Sequence, residues 1–145
     1  MKVSTKGRYA LRMLLDLAEH KDEGFISLKE IAERQGISKQ YLEQIVSLLN
    51  TSNILRANRG KQGGYMLAKE PVSVTVGQVL RITEGSLALV ACLGDEVNQC
   101  ERADFCKTLP MWEGLNKVIT DYLDSVNLQS ILDQYQAQGS DSYMI

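Results

Sequence analysis

No apolar run in this chain of 145 residues approaches the roughly 18 residues that a membrane-spanning helix needs, so no membrane role is expected. A single histidine, His20, leaves little material for general acid–base chemistry. The chain also lacks a Gly-x-Gly-x-x-Gly nucleotide fingerprint and a Cys-x-x-Cys pair. Only Arg102 and Lys107 stand near its thiols to activate them, which argues against a thiol redox enzyme and against an enzyme altogether. A secretory signal is missing as well. The opening MKVSTKGRYALRMLLDLAEH carries periodic apolar residues interrupted by Arg12, Asp16 and Glu19, the pattern of an amphipathic helix and not of a signal peptide. That reading places the protein in the cytoplasm. Cysteine is scarce, at three residues, and an odd number in a reducing compartment points to metal ligands or redox groups, not to a disulfide framework.

What the chain does have is an ordinary hydrophobic share of 44%, enough for a packed core, and a lopsided charge. Residues 1–70 carry 12 Lys or Arg against 8 Asp or Glu, whereas residues 71–145 carry 4 against 10. A basic first half suggests a polyanionic partner.

The first half reads as a run of short helices. Tyr9, Met13, Leu14 and Leu17 repeat at helical spacing over 6–20. Ser27-Leu-Lys-Glu30 has the form of a capping box, with Glu30 reaching back, and Gly36 stops the helix it opens. Ser38 caps a further helix whose apolar face is Leu42, Ile45, Val46 and Leu49. Two helices joined by a short glycine turn form either a packing hairpin or a helix-turn-helix, whose second helix enters the DNA major groove. Its outward residues, Lys39, Gln40, Tyr41, Glu43 and Gln44, suit base reading: Gln pairs with adenine and Glu accepts from the cytosine amino group. The following segment, ILRANRGKQGGYMLAKE, alternates around glycines and predicts a β-hairpin. A hairpin at that place is a wing, with a basic tip at which Arg59 would reach a narrow minor groove beside Gly60.

The second half opens with another capping-box candidate, Thr75-Val-Gly-Gln78, and a helix through about Thr83. Pro110 starts a longer helix with a broad stripe of Met111, Trp112, Leu115, Val118, Ile119, Tyr122, Leu123 and Val126. So wide a stripe is covered either by its own domain or, more economically, by the same helix of a second subunit. A last short helix is expected near Asn127, followed by a small, polar tail. The expected fold is mainly α with a small β-hairpin wing: a winged helix-turn-helix over 1–73, then a cysteine-bearing loop and dimerisation helices over 74–145.

STKGRYALRMLLDLA, ISKQYLEQIVSLL and RGKQGGYML resemble the bacterial winged-helix regulators that include IscR, NsrR, RirA and CymR, and the similarity runs over nearly the whole chain. The resemblance implies a homodimeric transcription factor, mostly a repressor, that binds a double-stranded DNA operator and dimerises through a long C-terminal helix. By position it implies DNA contacts from Ser38, Gln40, Tyr41, Glu43 and Gln44, with Arg59 and Gly60 in the wing. In IscR-like members the residue matching Glu43 discriminates between two site types according to cluster state.

Cys92, Cys100 and Cys106 all lie in one polar segment with spacing C-x7-C-x5-C. Thiolates of this kind hold an iron–sulfur cluster or zinc, and the absence of a tight pair disfavours a zinc knuckle. The resemblance sharpens this: cluster-binding members keep three cysteines in this loop, and the spacing is closest to the RirA-like pattern. An iron–sulfur cluster of either the 2Fe-2S or the 4Fe-4S type is therefore expected, sensing cluster status, iron, oxygen or nitric oxide. The fourth ligand is open. Leu109 stands where IscR-like proteins have a histidine, and Arg8 where NsrR-like proteins have an aspartate; Glu101, Asp104, solvent or a small thiol would have to serve. The rival within the same fold is a CymR-like regulator of sulfur metabolism acting through a complex with cysteine synthase. The ending SYMI is similar to the CymR-like ending.

Overall fold

The computed structural model describes residues 2–143, with side chains through 139. Its elements follow as helices α1 (Thr5–Glu19), α2 (Leu28–Gln35) and α3 (Lys39–Leu49), strands β1 (Leu55–Asn58) and β2 (Gly64–Leu67), and helices α4 (Val76–Glu84), α5 (Leu109–Ser125) and α6 (Leu128–Tyr143). This is the mainly helical winged fold that the sequence predicts.

Side-chain caps set the helix starts. Ser27 Oγ accepts from Glu30 N at 3.2 Å, Ser38 Oγ accepts from Tyr41 N at 3.1 Å, and Thr75 Oγ1 accepts from Gln78 N at 3.1 Å. Each such cap is worth about 1 kcal/mol. Thr75 completes its box, because its own N–H donates to Gln78 Oε1 at 3.0 Å. Glu30 does not reach back as the SLKE pattern suggests; its carboxylate lies 3.9 Å from Arg34 one turn on, where an opposite charge outcompetes a neutral amide.

α1 is the central helix. Ala10, Met13, Leu14 and Leu17 are buried against Ile31 of α2, Leu42, Ile45 and Leu49 of α3, Val79 of α4 and Leu128 of α6. Fully burying a side chain of this size contributes roughly 1.5–3 kcal/mol. The hairpin is antiparallel, with Leu55 opposite Leu67 and Asn58 opposite Gly64, and its two leucines fasten it to the core. Tyr65 also exchanges both backbone hydrogen bonds with Ile26, at 2.8 Å each. A Cβ on Gly64 would overlap the Ile26 backbone, so the second glycine of the GGY motif lets the wing lie against the chain entering α2.

Two expectations for the second half need correction. Val126 is not part of the long helix: it is the extended cap residue of α5, and its carbonyl accepts from Val76 N at 2.8 Å. The last helix is not short, since α6 has 16 residues and takes in most of the small, polar tail. Asn127 and Ser130 cap it reciprocally, with Ser130 N donating to Asn127 Oδ1 at 2.8 Å and Asn127 N donating to Ser130 Oγ at 3.0 Å. Leu128 and Leu132 then anchor it in the main core, and packing of that face carries a helix whose sequence looks merely polar. Of the SYMI ending, Met144 and Ile145 lie outside the described residues.

Candidate nucleic-acid interface and cysteine loop

A polar cluster fixes how α2 lies on α1, ahead of the turn that leads into α3. Asp16, on the inner side of α1 and 2% exposed, accepts from Arg34 Nε at 3.0 Å, Arg34 Nη2 at 2.7 Å and Gln35 Nε2 at 3.0 Å. Burial pushes this carboxyl up, but the hydrogen bonds from Arg34 and Gln35 and the Arg34 charge outweigh it and hold the group below the usual carboxylate range. Gly36 then turns the chain in the left-handed conformation, at φ 63°. His20 is half-buried, with Nδ1 2.8 Å from the Asp16 carbonyl.

α3 presents Lys39, Gln40, Glu43 and Gln44 to solvent. Ser38 is exposed, with its hydroxyl engaged as the N-cap. Tyr41 is half-buried, its ring edge-on to Tyr9 of α1 at 5.5 Å and 78°. Arg59 and Gly60 are exposed at the wing tip, and Gly60 has φ 122°, a conformation that favours glycine.

The start of α2, the start of α3 and the wing enclose one groove of about 330 Å³. Lys29, Lys39 and Arg59 line it with Ser27, Asn58 and Gly60, and no carboxylate does. Three cations without a counter-charge make it receptive to a phosphate backbone, while the outward face of α3 stays free for base edges. The structure thus brings Lys39, Arg59 and Gly60 together. Lys29 was missed from sequence because it stands inside the capping-box motif; its place two residues after an N-cap, on the side facing the wing, is the signal that would have found it.

Residues 86–107 connect α4 to α5. Among the described residues, the hydrogen bonds of this segment reach no further than three positions along the chain. Leu87 anchors it in a small cluster with Val76 and Leu80, against which Leu123 and Val126 pack. Cys92 and Cys106 are half-buried, Cys100 is exposed, and all three are free thiols. Hydrogen bonds from the Thr108 hydroxyl and backbone, with the Arg102 charge, lower the Cys106 thiol from its usual range. This favours the thiolate, the form that ligates metal. No three His, Cys, Asp or Glu side chains converge on a metal-sized site among the described residues. The donor set therefore fits an iron–sulfur cluster in its chemistry but is not pre-gathered, and the local bonding of the loop leaves it free to rearrange.

The apolar stripe of α5 divides in two. Leu123 packs inward, and Arg81 of α4 grips Asp124 in a two-pronged ion pair at 2.7 and 2.9 Å. On the other side Met111, Leu115, Val118 and Tyr122 stand 42–66% exposed. They lie at spacings of four, three and four, the repeat of a coiled-coil seam.

A winged helix-turn-helix with an uncompensated basic groove defines a DNA-binding regulator. The comparisons name the family: the Rrf2 model, described as an iron-dependent transcriptional regulator, matches residues 3–134, and the chain belongs to it. This is a family of transcriptional regulators, not of enzymes. The chain is 38% identical to the HTH-type transcriptional regulator IscR of Pectobacterium atrosepticum over 133 residues, covering 92% of this chain and 80% of that one. Among solved structures it is similar to T. potens IscR, with TM-score 0.75 and 42% identity over 95% of this chain and 91% of that one. It is also similar to CymR (YrzC), the global cysteine regulator of B. subtilis, with TM-score 0.76 and 34% identity over 92% and 98%. No helix among the described residues is long and apolar enough to cross a membrane.

Proposed function

We propose that this regulator is a cytoplasmic homodimeric repressor whose operator affinity depends on an iron–sulfur cluster held by Cys92, Cys100 and Cys106. Residues 1–73 read DNA through Ser38, Lys39, Gln40, Tyr41, Glu43 and Gln44 of the α3 segment and through Arg59 and Gly60 of the wing. Residues 74–145 sense and dimerise. The observation that carries this reading is the placement of all three thiols in one locally bonded loop between two helices joined by the Arg81–Asp124 pair. Such a cluster, when bound, supplies sensitivity to iron, oxygen or nitric oxide. Drawing the three sulfurs together shortens the loop that enters α5, whose exposed seam is the proposed dimer contact. A bias at that seam changes the spacing of two recognition helices. A coupling of about 1–3 kcal/mol changes operator affinity several-fold to a hundredfold.

The test is anaerobic purification, a visible spectrum, and iron and acid-labile sulfide assays on the wild type and on the Cys92, Cys100 and Cys106 triple Ala variant. Colour with iron and sulfide in the wild type, lost in the variant, is the expected result, together with operator affinity that follows iron loading only in the wild type. A colourless wild type that cannot be reconstituted sinks the cluster reading and leaves the DNA-binding surface untouched.

The likeness to CymR, named as a global cysteine regulator, favours a second reading: regulation of sulfur metabolism through a complex with cysteine synthase, gripped by the SYMI tail. Equal recovery of the synthase with and without residues 143–145 removes it.

A further inference from the structure

We infer that Tyr9 and Arg12 of α1, which lie outside the proposed DNA-contacting set, are positioning residues for Tyr41 of the recognition helix. This rests on the reading of α3 as the DNA-contacting element. Tyr41 has two fixed points. Its backbone N–H is tied to the Ser38 hydroxyl at 3.1 Å, and its ring meets the Tyr9 ring edge-on with centroids 5.5 Å apart.

Tyr9 has a second partner of its own. The Arg12 guanidinium lies over its ring at 5.2 Å, close enough for a cation–π attraction. Arg12 is not set by a carboxylate. Its Nε donates to Gln35 Oε1 at 3.3 Å and its Nη2 donates to the Gln35 carbonyl, at the C-terminal end of α2 where a cation is favoured. Gln35 in turn donates to the buried Asp16 at 3.0 Å. One ladder therefore runs from Asp16 through Gln35, Arg12 and Tyr9 to Tyr41.

The ladder has the form of a positioning device and not merely of more core. Its rungs are directional contacts at the rim of the domain, where Tyr9 and Tyr41 are half-buried and Arg12 is exposed. An edge-to-face aromatic pair is sensitive to ring angle as well as distance. Leu42, Ile45 and Leu49 already bury the inner face of α3; what they leave unset is the direction of the one large aromatic in its first turn. Arg12 and Tyr9 set it by joining that turn to the end of α2.

The experiment is a double-mutant cycle on DNA affinity. A labelled duplex enriched from a random library by the wild-type protein is the probe, and anisotropy reads its binding to Tyr9→Leu, Tyr9→Phe, Arg12→Gln, Tyr41→Leu and the Tyr9→Leu/Tyr41→Leu double variant. Tyr9→Leu should weaken binding about three- to tenfold when Tyr41 is present and less than about twofold when it is absent. Tyr9→Phe, which keeps the ring, should restore affinity. On reselection, the base preferences of Tyr9→Leu should shift only at the positions that Tyr41→Leu shifts, a change that general destabilisation does not produce. If Tyr9→Leu does not fold, Arg12→Gln replaces it in the same cycle. Equal losses in both backgrounds, no loss, or wild-type binding by Tyr41→Leu each overturn the inference and leave the DNA-binding reading standing. A wild-type protein that enriches no sequence overturns both.

Discussion

Replacing Asp16 with Asn should be among the most damaging changes available at a polar position, and its cost can be worked from the contacts. The carboxylate accepts three hydrogen bonds, two from Arg34 and one from Gln35, at a site 2% exposed. Asn keeps the volume, removes the charge and turns one acceptor into a donor that must face either Arg34 or Gln35. Breaking a buried ion pair from one side costs about 3–5 kcal/mol when the survivor stays buried. Here the Arg34 side chain is 36% exposed and can rehydrate. The expected loss therefore falls to that of the weakened charge-assisted bonds, about 2–3 kcal/mol. Its pH dependence is fixed in sign. Burial raises the Asp16 pKa, but hydrogen bonds from Arg34 and Gln35, then the charges of Arg34 and His20, lower it further, so the folded value lies below the unfolded one. The stabilisation is complete above the unfolded pKa of about 3.9 and is lost as pH falls through the folded pKa. Urea midpoints followed by far-UV circular dichroism, at one protein concentration, should separate wild type and variant fully at neutral pH. The gap should close below about pH 4. A gap under about 1 kcal/mol at neutral pH, or one that does not narrow with acid, refutes the assignment of Asp16 as the charged anchor of the α1–α2 junction.

If α5 is the proposed dimer contact, Leu115→Glu should lower the mass in light scattering from that of a dimer to that of a monomer while leaving the circular dichroism spectrum unchanged, because the side chain already faces solvent; a dimeric mass retained by the variant rules out the α5 seam. Gly64→Ala should cost about 1–3 kcal/mol in thermal or urea unfolding, since its methyl overlaps the Ile26 backbone and neither main chain can yield. Lys29→Ala should weaken DNA binding evenly across sequences and flatten the salt dependence of log Kd by about one ion. Glu43→Ala should instead change which bases are preferred at one position. An unchanged salt slope for Lys29→Ala removes it from the groove.

Those elements whose signals are local were legible in the sequence. Ser27, Ser38 and Thr75 announce helix starts that the structure places within a residue, and NRGKQGG announces a turn because few other side chains fit there. The thiols were legible as a group because they share one segment. What stayed hidden depends on contacts distant in sequence. Asp16 reads as a solvated charge interrupting an apolar face until Arg34, 18 positions on, is found against it. The stripe of α5 could not be divided by periodicity into an inward and an outward half, since both halves are equally apolar; only the Arg81–Asp124 pair and the packing of Leu123 reveal which side α4 takes. The polar sequence after Leu132 gives no hint that α6 continues to Tyr143, because Leu128 and Leu132, behind a reciprocal cap, carry the helix. Tyr9, Arg12 and Lys29 were overlooked as site residues for the same reason: each acquires its role from a partner on another element.

The distribution of hydrogen bonds bears on how such a protein would signal. In the first half, side chains bridge elements far apart in sequence, from Asp16 to Arg34 and from Arg12 to Gln35, so α2, which leads into α3, cannot shift on α1 without breaking charged contacts. In residues 86–107 the bonds are local, so the loop can change shape at little cost to the core. Two joints connect the regimes. Ser4, which caps α1, donates from its N–H and hydroxyl to Glu84 Oε1 at 3.0 and 2.6 Å, directly before the loop begins, and Arg81 grips Asp124 beyond the point where the loop ends. On the proposed cluster switch, rearranging the cysteine segment would act on the start of α1 through Glu84 and on α5 through Asp124. A rigid reader moved as a body, instead of one that softens, is the behaviour these contacts favour: cluster state would alter the distance between two intact recognition helices, and binding to a single isolated half-site should be nearly indifferent to iron.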